Sequence, residues 1–150
     1  MMHGGCNCEA IRYIISGAPL TAYICHCHRC QKRARSAFSM SIVVRANDFR
    51  TTNGTPLRTE RPLPSGAVKI SFTCGSCYAR LYAACDGRRT FNAAGTLDDT
   101  GSIRPVAQFW TFSAQPWALV KEDIMSYTEQ STDFTPLFEA WTAAAVRAGL

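Results

Sequence analysis

At 150 residues the chain can bury a proper core without crosslinks, and a single compact domain over 1–150 is expected. It is 47% hydrophobic and 18% charged, without low-complexity tracts or charge blocks, as in ordinary globular proteins. No apolar run is long enough to span a bilayer, so no membrane partner is expected.

The N-terminal stretch "MMHGGCNCEAIRYIISGAPL" has no basic region followed by an apolar one. No secretory leader is expected, and a cytoplasmic setting follows, where thiols stay reduced and clustered cysteines more often bind metal than pair. In chain order, "CNC" (6–8) opens an extended segment, which puts both thiols on one face by the period-two alternation of strands. "AIRYIIS" (10–16) and "LTAYIC" (20–25) read as strands joined into a hairpin by a Gly-Ala-Pro turn. "SAFSMSIVV" (36–44), "AVKISFT" (67–73), "ARLYAAC" (79–85) and "VAQFWTF" (106–112) are further strand candidates, rich in β-branched or aromatic residues. Between them, "NGTPLRTERPLPSG" (53–66) holds three prolines and two glycines and reads as a long loop of the kind that often serves function. The tail changes character. Thr135 suits a cap, Pro136 the first helical position and Gly149 the stop of a helix over 135–149. Leu137, Phe138, Trp141 and Ala145 recur at helical spacing and are expected to pack inward. The expected class is therefore mainly β, with a C-terminal α-helix.

Eight cysteines punctuate this pattern. Cys85 ends an apolar strand and reads as a small core residue. "CGSC" (74–77) is a C-x-x-C knuckle between two strands, a turn that aims two sulfurs at one ion. Neither it nor the pair Cys6 and Cys8 fills a tetrahedral zinc site alone. Together they would staple the N-terminal strand to the middle of the sheet and add folding free energy. Spacing equally allows the middle group to replace either pair.

That middle group lies in "CHCHRCQKR" (25–33). Cys25 and Cys27 would share a strand face, with Cys30 brought round by the knuckle, so three sulfurs converge and a fourth position stays open. Structural zinc sites are closed, whereas catalytic ones keep one position for water or substrate; a distant residue closing it would make this site structural too. His26 and His28 alternate with the cysteines, so their rings point away and suit surface or ordering roles. His3 sits on a flexible end. Arg29, Lys32, Arg33 and Arg35 would lower thiolate pKa and draw anions, or else form a solvated basic turn. Nucleic acid is disfavoured, since no aromatics interleave with these cations and no recognition helix follows. The formal charge of +5 also counts thiols as neutral; seven thiolates on two zinc ions would bring it to about +2.

The stretches "GGCNCEAIRY", "CHCHRCQKRARSAF", "SFTCGSCYARLY" and "AAGTLDD" resemble, in order and spacing, the motifs of the glutathione-dependent formaldehyde-activating enzyme family, which includes centromere protein V. The likeness runs from about 4 to 99, and more loosely to 118. It implies a β-tent fold of short antiparallel sheets, a structural zinc on Cys6, Cys8, Cys74 and Cys77, and a second zinc on Cys25, Cys27 and Cys30. It also implies a carbon–sulfur lyase type reaction, the reversible joining of glutathione and formaldehyde into S-hydroxymethylglutathione. Arg29, Lys32 and Arg35 are the residues expected to hold the carboxylates of such a thiol. Family members commonly have glycine where this chain has Glu9, Tyr78 and Arg35. A positive φ at Tyr78 would cost about 1 kcal/mol or more. The expected function is thus a zinc enzyme acting on a small thiol and a small aldehyde or their adduct. The alternative is a non-catalytic zinc-stabilised module for a protein or nucleic-acid partner, and a thiol redox protein is a weaker third. The oligomeric state is not fixed by the sequence.

Overall fold

The structure is a computed structural model that describes residues 1–63, 65–84, 87–119 and 124–148. Cys85 and the helix stop at Gly149 lie outside the described residues. Two compact units make up the chain, one from Met1–Pro19 and Val43–Ser102, the other from Leu20–Ile42 and Ile103–Leu150. The fold is mainly β, in short sheets, with a C-terminal helix.

In the first unit, β1 (Met2–Gly5), β2 (Arg12–Ile15) and β5 (Phe49–Asn53) form an antiparallel sheet in the order β1-β2-β5. Side-chain alternation along β2 buries Tyr13 and Ile15, as the period of "RYII" requires. Tyr13 gives its hydroxyl to a bond with Thr96 Oγ1 at 2.8 Å. Burial pushes its pKa up to about 12. Gly4 faces this ring so closely that a Cβ would lie 2.4 Å from the Tyr13 hydroxyl oxygen, so no other residue fits there. A second ladder joins β6 (Leu57–Pro62), β7 (Val68–Thr73), β8 (Arg80–Ala84) and β9 (Arg89–Ala93), all antiparallel. Rings bridge the two sheets of this unit: Tyr13 meets Phe49 at 5.2 Å, Phe49 meets Tyr82 at 4.4 Å, and Phe72 stacks on Tyr82 at 4.3 Å.

In the second unit, β10 (Ala107–Phe109) lies between β3 (Thr21–Cys25) and β11 (Met125–Tyr127) and is parallel to both. This departs from the wholly antiparallel arrangement that was expected. Helix α2 (Thr135–Ala148) lays Leu137 against Ala107 and Phe109. Phe138, Trp141 and Ala145 are partly buried, in line with the expected helical stripe. The cap is supplied by Asp133, whose Oδ1 accepts from Thr135 N at 2.9 Å, rather than by Thr135 itself. β4 (Ser39–Arg45) leads the chain from the second unit back to the first, with Ile42, Val43 and Val44 wholly buried.

Three sequence expectations change. The hairpin between 10–16 and 20–25 does not form: β2 and β3 belong to different sheets. The end of β2 is tied instead to the entry of β5, where Ser16 N donates to Asp48 O at 2.9 Å, and Pro19 offers no N–H to start a ladder. The stretch 53–66 is not one long loop, because β6 pairs with β7 from Leu57↔Thr73 to Pro62↔Val68. β6 is the outermost strand of its sheet, and an edge tolerates Pro62 because one side of its backbone needs no ladder bonds. Finally, "CNC" is not extended but forms the turn from β1 to β2, closed by Cys6 N→Ile11 O at 3.0 Å.

Candidate metal centres

Two turns of the first unit are built alike. In one, Glu9 N donates to Cys6 O at 3.0 Å and Ile11 N to the Cys6 sulfur at 3.2 Å. In the other, Tyr78 N donates to Cys74 O at 3.1 Å and Ser76 N to the Cys74 sulfur at 3.4 Å. Backbone N–H groups aimed at sulfur favour the thiolate, the form that binds metal. The Cys6 and Cys8 sulfurs lie 3.5 Å apart, those of Cys8 and Cys74 3.7 Å, and all four including Cys77 fall within 4.8 Å of one another. A zinc–sulfur bond of about 2.3 Å in a tetrahedron separates sulfurs by roughly 3.8 Å, whereas a disulfide needs about 2.05 Å. The donor set therefore fits an ion and not a crosslink. The acidities agree. The Ala79 N–H draws Cys77 down to about 6, and the N–H groups of Cys77 and Ser76 lower Cys74. Cys8 is drawn down by the Ala10 N–H, yet the sulfurs of Cys6, Cys77 and Cys74, with some loss of solvation, push it up to about 11. Four adjacent thiols cannot all ionise without a cation among them.

Both turns require a left-handed residue, and the chain supplies Glu9 at φ 60° and Tyr78 at φ 58°, neither of them glycine. Tyr78 is 65% exposed and buries little in return. Tyr78→Gly is therefore expected to stabilise the metal-loaded chain by about 0.5–1 kcal/mol, the relief of left-handed strain less the extra freedom of the unfolded glycine. Urea unfolding at fixed zinc would read this as a higher midpoint at unchanged slope; a lower midpoint would mean that the strain estimate is wrong.

The second centre lies in the second unit. Cys25 ends β3, Cys27 caps helix α1 (His28–Ala34), and Cys30 sits in its first turn. The segment is thus a strand-to-helix corner, not the strand and knuckle that were expected, and a short helix begins within the cysteine group. The three sulfurs lie within 4.8 Å of one another, and among the described residues no fourth His, Cys, Asp or Glu joins them. Cys27 accepts from Cys30 N at 3.4 Å. The Cys25 thiol donates towards Cys30 and holds it well below the usual thiol range against the opposing effect of burial, with Ser39, Cys27 and Arg33 assisting; Cys25 is raised correspondingly.

Residues the sequence did not single out hold this corner. Gln31 Nε2 donates to His26 O at 2.6 Å and Ser113 O at 3.0 Å, and Ser113 Oγ donates to His26 O at 3.2 Å. The His26 ring is wholly buried, with Nε2 3.1 Å from Gln108 Oε1, and Gln108 Nε2 continues to Ser126 Oγ at 2.9 Å. His26 is therefore an internal strut rather than a surface group. Gln108, a lone amide within the apolar "VAQFW", was the available clue. His28 and His3 are exposed.

The cations divide. Arg29, Lys32 and Arg35 are exposed, and Arg35 serves through its backbone: at φ 52° its N–H closes α1 on Gln31 O. Arg33 instead brings Nη2 to 3.7 Å from the Cys30 sulfur.

A family model described as glutathione-dependent formaldehyde-activating enzyme matches residues 1–113, three quarters of the chain and all seven clustered cysteines. The chain belongs to this family. Among solved structures, the chain is similar to a Rhodobacter sphaeroides protein solved as a structural-genomics target, at 17% identity and a TM-score of 0.54. That likeness covers 84% of this chain and 99% of the other, and shows a shared fold. A search of curated proteins gave no significant match. Within the glutathione-dependent formaldehyde-activating enzyme family, this chain's left-handed Glu9, Tyr78 and Arg35 keep the turn geometry without glycine.

Proposed function

We propose that the chain is a zinc-dependent enzyme of carbon–sulfur lyase type, acting on a small thiol and a small aldehyde or their adduct. Glutathione and formaldehyde are the pair that the family description names. One observation weighs most: a three-sulfur group with no fourth ligand among the described residues, in a chain that also has a complete four-sulfur group. Cys6, Cys8, Cys74 and Cys77 would hold a structural zinc; Cys25, Cys27 and Cys30 would hold the working one. Zinc there would supply a Lewis acid that favours the deprotonated form of a thiol and polarises a carbonyl.

The chain's own groups position and attract. The bonds of Gln31 and Ser113 to His26 O fix the corner, so the three sulfurs need not reorganise when substrate arrives. Exposed Arg29, Lys32 and Arg35 raise the local concentration of an acidic thiol and can pair with its carboxylates at the rim, where such pairs steer more than they hold. The thiol proton leaves to solvent. No side chain is needed as general base, because formaldehyde is strongly electrophilic.

Cobalt replacement of zinc tests this reading. Sulfur-to-cobalt charge-transfer bands should grow on adding glutathione to the three-sulfur site, and the loaded chain should catalyse adduct formation. Two cobalt sites blind to every thiol and aldehyde would instead favour a zinc-stabilised binding module.

A further inference from the structure

One cation of the cysteine segment is built into the corner rather than left to water. Arg33 follows Cys30 by three residues on α1, so the two share a helix face. Its Nη2 lies 3.7 Å from the Cys30 sulfur, while its Nε is buried and has no hydrogen-bond partner among the described residues. In a guanidinium, Nε–H and the adjacent Nη–H are parallel donors that form one planar edge, suited to an anionic oxygen or a carboxylate. Here Nη2, which carries a second hydrogen, touches a sulfur, and Nε faces no acceptor among the described residues. A charged donor withdrawn from water with nothing to bind is costly, and such groups mark places that a ligand completes.

We propose that Arg33 is a catalytic residue whose Nε–H and Nη2–H hold the aldehyde-derived oxygen beside the Cys30 sulfur. The inference rests on the thiol–aldehyde reading above. In the addition, the thiolate sulfur supplies the pair for the new C–S bond and the carbonyl π pair moves onto oxygen. That oxygen becomes anionic, then takes a proton from water to end as the adduct hydroxyl; cleavage runs the same steps backwards. Charge grows on the oxygen as the bond forms, so a fixed cation binds the transition state more tightly than the neutral aldehyde. Exposed Arg29, Lys32 and Arg35 are too well solvated for this role.

The test uses the full chain as wild type, Arg33→Ala, Arg33→Gln and Arg33→Lys, with formate as probe, a planar anion of aldehyde size. Metal content, the visible spectrum of the cobalt form and steady-state turnover are measured on each. Formate should shift the wild-type spectrum saturably. Ala and Gln should retain both metals, bind formate at least about tenfold more weakly, and lose about 100-fold in kcat with little change in the thiol KM. Lys should fall between. Unchanged formate binding in metal-replete Ala and Gln variants overturns the proposal. So does loss of metal in both, which would make Arg33 a prop of the sulfur group. If the wild type is inert to glutathione and formaldehyde, the thiol–aldehyde reading and the oxygen-holding role fall together. Arg33-dependent formate binding would then remain as a separate result, an anion contact without that reaction.

Discussion

Cys74→Ser is expected to lose one of the two zinc ions proposed for the chain and to unfold the first unit at temperatures where the wild type is intact. Cys74 is 1% exposed and couples the β1–β2 turn to the β7–β8 turn through the four-sulfur group. Serine has nearly the same shape, but its hydroxyl does not ionise at neutral pH, so the fourth ligand disappears while the packing stays. Structural zinc contributes apparent binding free energy of about 10–16 kcal/mol, comparable to or above the roughly 5–15 kcal/mol net stability of a whole domain. Forfeiting most of it leaves too little to outweigh chain entropy. Metal analysis together with thermal unfolding checks this. A serine variant that keeps both ions and melts within a few degrees of the wild type would remove the structural role.

Cys27→Ser should behave in the opposite way: a folded chain, one zinc ion fewer, and adduct turnover lower by about three orders of magnitude or more. The difference arises from position. Cys27 caps α1 by accepting from Cys30 N, and serine is among the best residues for that task. The helix therefore keeps its cap, and Gln31 keeps its bonds to His26 O and Ser113 O. What is lost is one sulfur of three, and with it the several kcal/mol of Lewis-acid stabilisation that a bound ion contributes. Circular dichroism and melting should match the wild type while metal content and activity fall. Full turnover in this variant would place the chemistry elsewhere.

The sequence was most legible where chemistry is local. Cysteine spacing sorted seven sulfurs into three groups, the family resemblance implied the joining of Cys6 and Cys8 with Cys74 and Cys77 that the structure brings together, and β-branched and aromatic content found β2, β3, β4, β7, β8 and β10 within a few residues. Partner choice was not legible, because it rests on distant bonds such as Ser16 N to Asp48 O. β6 was hidden by prolines that only its edge position excuses, and β5, "FRTTN", has too little apolar content to announce itself. Arg33 was grouped with Arg29, Lys32 and Arg35 but not set apart from them, because the segment after Cys27 was read as a knuckle, whereas "HRCQKRA" is a helix, in which Cys30 and Arg33 at i, i+3 become neighbours.

The two units are woven from alternate stretches of chain, with a consequence for the order of assembly on the ribosome. The four sulfurs of the first centre have all been translated once Cys77 is made, so a metal ion could be taken up there while synthesis continues. Cys25, Cys27 and Cys30 appear much earlier, yet their props at Phe109 and Ser113 arrive late, since His26 N must find Phe109 O. On the proposed two-zinc reading, a nascent chain would thus complete its scaffold site first and its working site last.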